Sequence, residues 1–191
     1  MSTNESPAVT ETDLDTMGWN REPHSWSRHG SATLAWTSSP SSDFWRHTGG
    51  VAPKHDGNAL LGPARDADFV IEVELCAIMS DLYDQFGVFV EVDEENWLKA
   101  GIEYAEGLWL STVVTKGRSD WSRERYPVPA VTVRVVRRND TVEVLVDDAG
   151  SWRMIREVTL AGPARVGLYS CSPKGGGFTT LGTLTRGRQV E

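Results

Sequence analysis

The sequence predicts an all-β chain folded as one domain, and three observations carry that prediction. Short alternating stretches recur with turn residues between them every roughly eight to twelve positions, the rhythm of a sandwich or barrel. No window sustains a helical repeat over three turns. The length of 191 residues suits a single all-β core.

Residues 1–16 are rich in Ser, Thr and acids and nearly free of apolar side chains, so they are expected to form a disordered tail, with one domain over 17–188. No charged segment followed by an apolar run is present, so no signal peptide is read. Phe69–Leu75 alternates strictly and reads as a strand. Gly87–Val92 follows, with Asp93–Asn96 expected as a polar four-residue turn. Trp97–Tyr104 and Leu108–Thr115 are strands around a three-residue loop, Ala105–Gly107. Val131–Val136 and Thr141–Val146 flank an Asn139-Asp140 turn. Asp147–Gly150 turns the chain toward Trp152, expected to be a buried structural indole. Arg165–Ser170 and Phe178–Leu184, separated by Gly175–Gly177, are the last strands.

Composition excludes several functions. With 19 Lys+Arg against 27 Asp+Glu the net charge is −8, which argues against nucleic acid as a partner. No apolar run reaches the ~20 residues of a membrane span, so no membrane partner is expected. Two cysteines, Cys76 and Cys171, are too few for a disulfide-stapled secreted module; both read as small hydrophobes of a cytoplasmic protein. No metal is expected from the spacing of His, Cys, Asp and Glu, and Asp81, Asp84 and Asp93 form only a poor calcium set. No phosphate loop is present, and no cofactor is called for.

Counting registers through the middle hairpins sorts side chains onto two faces. With Asp93–Asn96 as the turn, Val92 faces Trp97 and Val90 faces Lys99; across the next loop Glu103 faces Trp109 and Gly101 faces Ser111. One face then carries Phe89, Leu98, Ala100, Ile102, Leu110 and Val114, a core, with Glu91 on the same side. The other carries Val88, Val90, Trp97, Lys99, Gly101, Glu103, Trp109 and Ser111. Small residues flanked by indoles and a few charges make a depression suited to a ligand. Alternatively the indoles cover a sheet edge, and Lys99 with Glu103 forms an ordinary surface pair.

Polar residues of expected loops join this set. Trp45, Arg46 and His47, then His55 with Asp56, lie on either side of Gly49-Gly50, and His55 is suited to acid–base work near neutral pH. Trp121, between Asp120 and Ser122, offers an aromatic face beside hydroxyl-binding acceptors. The candidate ligand-binding residues are therefore Trp45, Arg46, His55, Trp97, Lys99, Glu103, Trp109 and Trp121. His55 and Glu103 are the candidates for catalysis. A carboxylate beside Lys99 is expected to stay ionised, which suits orienting a ligand more than donating a proton.

Several segments together carry a family likeness: Trp19–Pro23 with Trp26, Ser42–Arg46, Tyr83-Asp84-Gln85, Asp93–Tyr104, Ser119–Ser122, and Ser170–Pro173 with Phe178. In this order they resemble the domain-of-unknown-function family of "regulation of enolase" proteins, in the concanavalin A-like lectin/glucanase superfamily. The resemblance spans about residues 19–184. It implies an antiparallel two-sheet jelly-roll sandwich with one concave face, and no settled activity. Glycosidases of such sandwiches place two carboxylates on alternate residues, roughly 5–5.5 Å apart in retaining enzymes. Glu91 and Asp93 alternate, but the register above puts one in the core and the other in a turn. A module that binds a small polar ligand or carbohydrate is the leading expectation. An isomerase, epimerase, cyclase or lyase using His55 or His47 with Glu103 is the alternative, and a regulatory or homodimeric interaction module is the third.

Overall fold

A computed structural model describes residues 12–189. The reading of residues 1–11 as disordered lies outside them. Thr12–Asp15 forms one helical turn that seats Leu14 in the core. The strands are β1 (Gly18–Trp19), β2 (Ser25–His29), β3 (Thr33–Thr37), β4 (Phe44–Trp45), β5 (Lys54–His55), β6 (Asn58–Leu61), β7 (Phe69–Ala77) and β8 (Gln85–Asp93). There follow β9 (Asn96–Tyr104), β10 (Leu108–Lys116), β11 (Arg118–Arg125), β12 (Ala130–Arg138), β13 (Thr141–Asp148), β14 (Ser151–Thr159), β15 (Arg165–Cys171) and β16 (Thr179–Gln189).

They build two seven-stranded antiparallel sheets packed face to face as a jelly-roll sandwich. The front sheet runs β1-β6-β15-β8-β9-β10-β11 and the back sheet β14-β13-β12-β7-β16-β3-β2. Between them lies the main core, where Val88, Val90, Leu98, Ala100, Ile102 and Leu110 of the front meet Val73, Leu75, Val133, Val135 and Val144 of the back. Trp36 is buried here, its indole N–H donating to Ser170 Oγ at 2.8 Å. Along one side β11 and β14 are clasped by Arg153–Glu124 at 2.6 Å and Arg156–Asp120 at 3.2 Å. These pairs are exposed and contribute little to stability.

The register of β9 and β10 matches the counted one: Leu108 opposes Tyr104, Trp109 opposes Glu103, and Ser111 opposes Gly101. That of β8 is off by one. Asp93 pairs with Asn96 across a tight turn, and Glu91, not Val92, opposes Trp97 because the strand bulges between them. Asp93 closes the turn by accepting the Glu95 N–H at 2.8 Å and the Asn96 amide at 2.9 Å. The bulge at Val92 absorbs the extra residue and inverts every side chain upstream of it. Val88 and Val90 therefore face the core, while Phe89 and Glu91 face outward. Trp152 departs from expectation as well: it is only half-buried, lying on the outer face of the back sheet under the Arg134 guanidinium.

Gly87 and Gly101 oppose each other in the front sheet, with Ser111 next in line. A Cβ at Gly101 would fall 2.0 Å from the Phe86 carbonyl oxygen and 2.6 Å from Gly87 Cα, neither of which can yield. Gly101→Ala is expected to cost about 3 kcal/mol in urea denaturation; wild-type stability would contradict this close approach.

Candidate functional site

The outer face of the front sheet is roofed by its own chain. β4 and β5 form a short ribbon, Phe44 opposite His55, laid across it. Phe44 stacks on Phe89 at 4.4 Å, and with Trp97, Val113, Tyr169 and Cys171 these rings make a second apolar core outside the sandwich. Trp97 is wholly buried in it, so it supports the face and cannot touch a ligand. Cys171 is buried there and Cys76 is exposed on the back sheet; both are free thiols.

Polar groups collect at the edge of this apolar layer, above the small residues. Lys99 is almost fully buried; its ammonium donates to the Phe44 carbonyl at 2.6 Å and to Asp43 Oδ1 at 3.3 Å. It lies 5.8 Å from the Trp97 ring and 6.0 Å from that of Tyr169. The same Asp43 oxygen accepts from the Gln85 amide at 3.5 Å, and Gln85 stands directly opposite Glu103 in the sheet. Glu103 is buried and hydrogen-bonded by Ser111, whose Oγ accepts the Trp121 indole N–H at 2.9 Å. Trp45 meets Trp121 edge to face at 6.3 Å, and Tyr83 meets Trp121 at 6.5 Å. Trp121 remains 37% exposed. These contacts join Asp43, Gln85, Lys99, Glu103 and Ser111 as a buried polar floor, with the partly exposed rings of Trp45, Tyr83 and Trp121 beside it.

Burial pushes the Glu103 carboxyl above the usual carboxylate range, and the charge of Asp43 adds to the rise. The Ser111 hydrogen bond and the charges of Lys99 and Arg123 only partly oppose it. Desolvation outweighs the cation of Lys99, so this carboxyl gives up its proton less readily than an exposed one.

The other predicted residues are dispersed. Arg46 points away from this cluster, donating to Glu95 at 2.6 Å and to the Gly117 carbonyl, where it latches the ribbon to the hairpin ends. His47 is exposed with a left-handed backbone. His55 turns to Glu91, 2.6 Å away, at the opposite end of β8 from Gln85, so it pairs with that carboxylate and not with Glu103. Trp109 lies on the rim with its indole N–H held by the Ala105 carbonyl at 3.0 Å. Trp121 belongs to β11 rather than a loop. Among the described residues no group of three or more His, Cys, Asp or Glu side chains could hold a metal ion. Asp84 is instead committed to Ser172 Oγ at 2.7 Å and to the backbone of the preceding turn.

Glu91 is outward-facing but shut in, bonded to both His55 and Arg165. With Asp93 beyond the bulge, the two do not form an alternating catalytic pair. Burial alone would raise the Glu91 carboxyl, but the His55 hydrogen bond and the Arg165 charge more than offset it and hold it low. A carboxyl lowered on folding stabilises the protein above its unfolded value near 4.5, and the contribution fades as pH falls through the lowered one. Glu91→Gln should therefore lower the melting temperature at pH 6–7 and flatten its decline in acid. A variant that melts like wild type at neutral pH would contradict the pairing.

Sequence reasoning missed Asp43, Tyr83, Gln85 and Tyr169 as site residues, although the first three fall in segments that carried the family likeness. Two cavities lie elsewhere. One is at the sandwich end near Met17, Phe69 and Val166, the other on the back sheet near Glu74, Tyr126 and Leu181. Neither gathers buried charge as the front cluster does.

The chain is 32% identical over 174 residues to "Regulation of enolase protein 1" of Saccharomyces cerevisiae, a match covering 87% of this chain and 86% of that protein. A solved structure of a functionally unknown protein from the same yeast superposes with a TM-score of 0.84 at 26% identity, over 93% of this chain and 97% of that one. The GH43 BlXynB protein of Bacillus licheniformis gives 0.70 at 17% identity; the match takes in 97% of this chain but only 40% of that one, a likeness of fold alone. The family model described as "Protein of unknown function (DUF1349)" matches residues 19–182, and this chain belongs to that family.

Proposed function

We propose that the protein is a saccharide-binding module of a reducing, cytoplasmic compartment, taking one sugar ring in a front hollow over the polar floor and between the rings of Trp45, Tyr83 and Trp121. The observation that carries this reading is the grouping of Asp43, Gln85, Lys99 and Glu103 beneath the partly exposed rings of Trp45, Tyr83 and Trp121. Aromatic faces cover the C–H surfaces of a pyranose, and buried carboxylates and amides bind its hydroxyls with directional, charge-assisted hydrogen bonds. The floor is held in place before any ligand arrives, which limits the ordering cost of binding. Two free thiols suit a reducing compartment.

Trp121 fluorescence and the melting temperature, titrated with glucose, galactose, xylose, their uronic acids and their phosphates, test this. A saturable change that vanishes in Trp121→Ala is expected. Flat responses across the whole panel would refute it. An enzyme acting on a small metabolite in the same hollow is favoured by one observation, the elevated Glu103 carboxyl, which is suited to proton transfer. His55 has no part in that reading; turnover of a bound sugar, lost in Glu103→Gln, would establish it.

A further inference from the structure

β11 reads Arg-Ser-Asp-Trp-Ser-Arg-Glu-Arg, and its pleat separates the charges by sign. Asp120 and Glu124 point to the side where β14 supplies Arg156 and Arg153, and both acids are paired there. Arg123 and Arg125 fall on the other side with Trp121, opposite Ser111 and Trp109 of β10. Both guanidiniums lie on indoles: Arg123 is 4.2 Å from the Trp109 ring centre and 4.7 Å from that of Trp121, and Arg125 is 4.0 Å from Trp109. Among the described residues neither forms an ion pair. Both are exposed, in a chain of net charge −8.

Stacking fixes the plane of a guanidinium while leaving its N–H edges free, which is the arrangement that matches an oxyanion. Arg123 also stands directly opposite Ser111, whose hydroxyl serves Glu103, and so borders the floor. We propose that the hollow takes an anionic saccharide, its carboxylate or phosphate gripped by Arg123 and Arg125 while its hydroxyls reach Asp43, Gln85 and Glu103. This rests on the saccharide reading above and names the class of sugar. The site is bipolar: acids and an amide at the inner end for hydroxyls, paired arginines at the outer end for the anion. Charge-assisted hydrogen bonds to two guanidiniums make an acidic sugar bind about ten- to a hundredfold tighter than its neutral parent.

Calorimetric titration with glucose, glucuronate and glucose 6-phosphate, and with galactose and galacturonate, tests the proposal at low and high salt. The wild type should prefer the anionic member of each set at least about tenfold, with the preference shrinking as salt rises. The double variant Arg123→Gln/Arg125→Gln should lose that preference and keep the weak neutral binding. Arg123→Lys/Arg125→Lys, which retains the charge without the planar fork, should keep part of it. Stronger binding of glucuronate than of glucose 6-phosphate assigns a carboxylate, and the reverse assigns a phosphate. Equal affinity for neutral and anionic sugars, or a preference untouched in the Gln variant, would overturn the anion grip and leave the saccharide reading standing. Absence of binding by every sugar would remove both.

Discussion

Replacing Glu103 by Gln is expected to make the protein more heat-stable at neutral pH while weakening saccharide binding at least about tenfold. The carboxyl is buried and raised above its ordinary 4.5, so its ionised form opposes folding. The sign is opposite to that of Glu91. The penalty is present in full above the raised value, shrinks as pH falls through it, and is gone below the unfolded value. Gln has the shape of the protonated acid and escapes the penalty. The melting-temperature gain should therefore be greatest near pH 7 and close toward pH 4. Binding falls because an amide replaces a charged acceptor of sugar hydroxyls. A side chain kept at a cost in stability is what a functional site commonly shows. A destabilised Glu103→Gln at neutral pH would contradict this account of the burial.

The second large effect is expected at Lys99. Its ammonium serves Asp43 and the Phe44 carbonyl and offsets part of the charge of Glu103. Lys99→Met keeps the length and the apolar stem but leaves Asp43 and the carbonyl without their donor. Breaking a buried pair in this way costs about 3–5 kcal/mol. The Phe44–Trp45 ribbon also loses an anchor to the sheet, so the Trp45 wall shifts and saccharide binding goes with it. Glu103, deprived of a compensating cation, should rise further. Urea denaturation and a pH titration of stability measure both effects. A loss below about 1 kcal/mol would mean that the ammonium is exchanged easily with water.

Much of the site was legible because β9 and β10 alternate cleanly around a loop whose length fixes their register. Trp97, Lys99 and Glu103 do share the outer face, with Gly101 and Ser111 beside them. β8 departs from the counted register because a bulge at Val92 leaves no mark on apolar alternation: Val88, Phe89 and Val90 suit either face. β11 looks like a loop in the sequence because a strand with little burial on either side has no hydrophobic period, only the alternation of its charges. The roof was the least legible part. Nothing local in Phe44–Trp45 tells that it crosses the front sheet and buries Trp97; that follows from long-range pairing with His55 and stacking on Phe89. Asp43 joins the floor only because this ribbon carries it there.

Labelling with 5-fluorotryptophan and recording fluorine spectra during titration with the acidic sugars reads each of the eight indoles separately. Resonances of Trp45, Trp109 and Trp121 should move and saturate together, with those of Trp26, Trp36 and Trp152 unchanged. Shifts confined to Trp152 or Trp26 would put the ligand on the back sheet or the sandwich edge, and stationary signals throughout would leave the front hollow without an occupant.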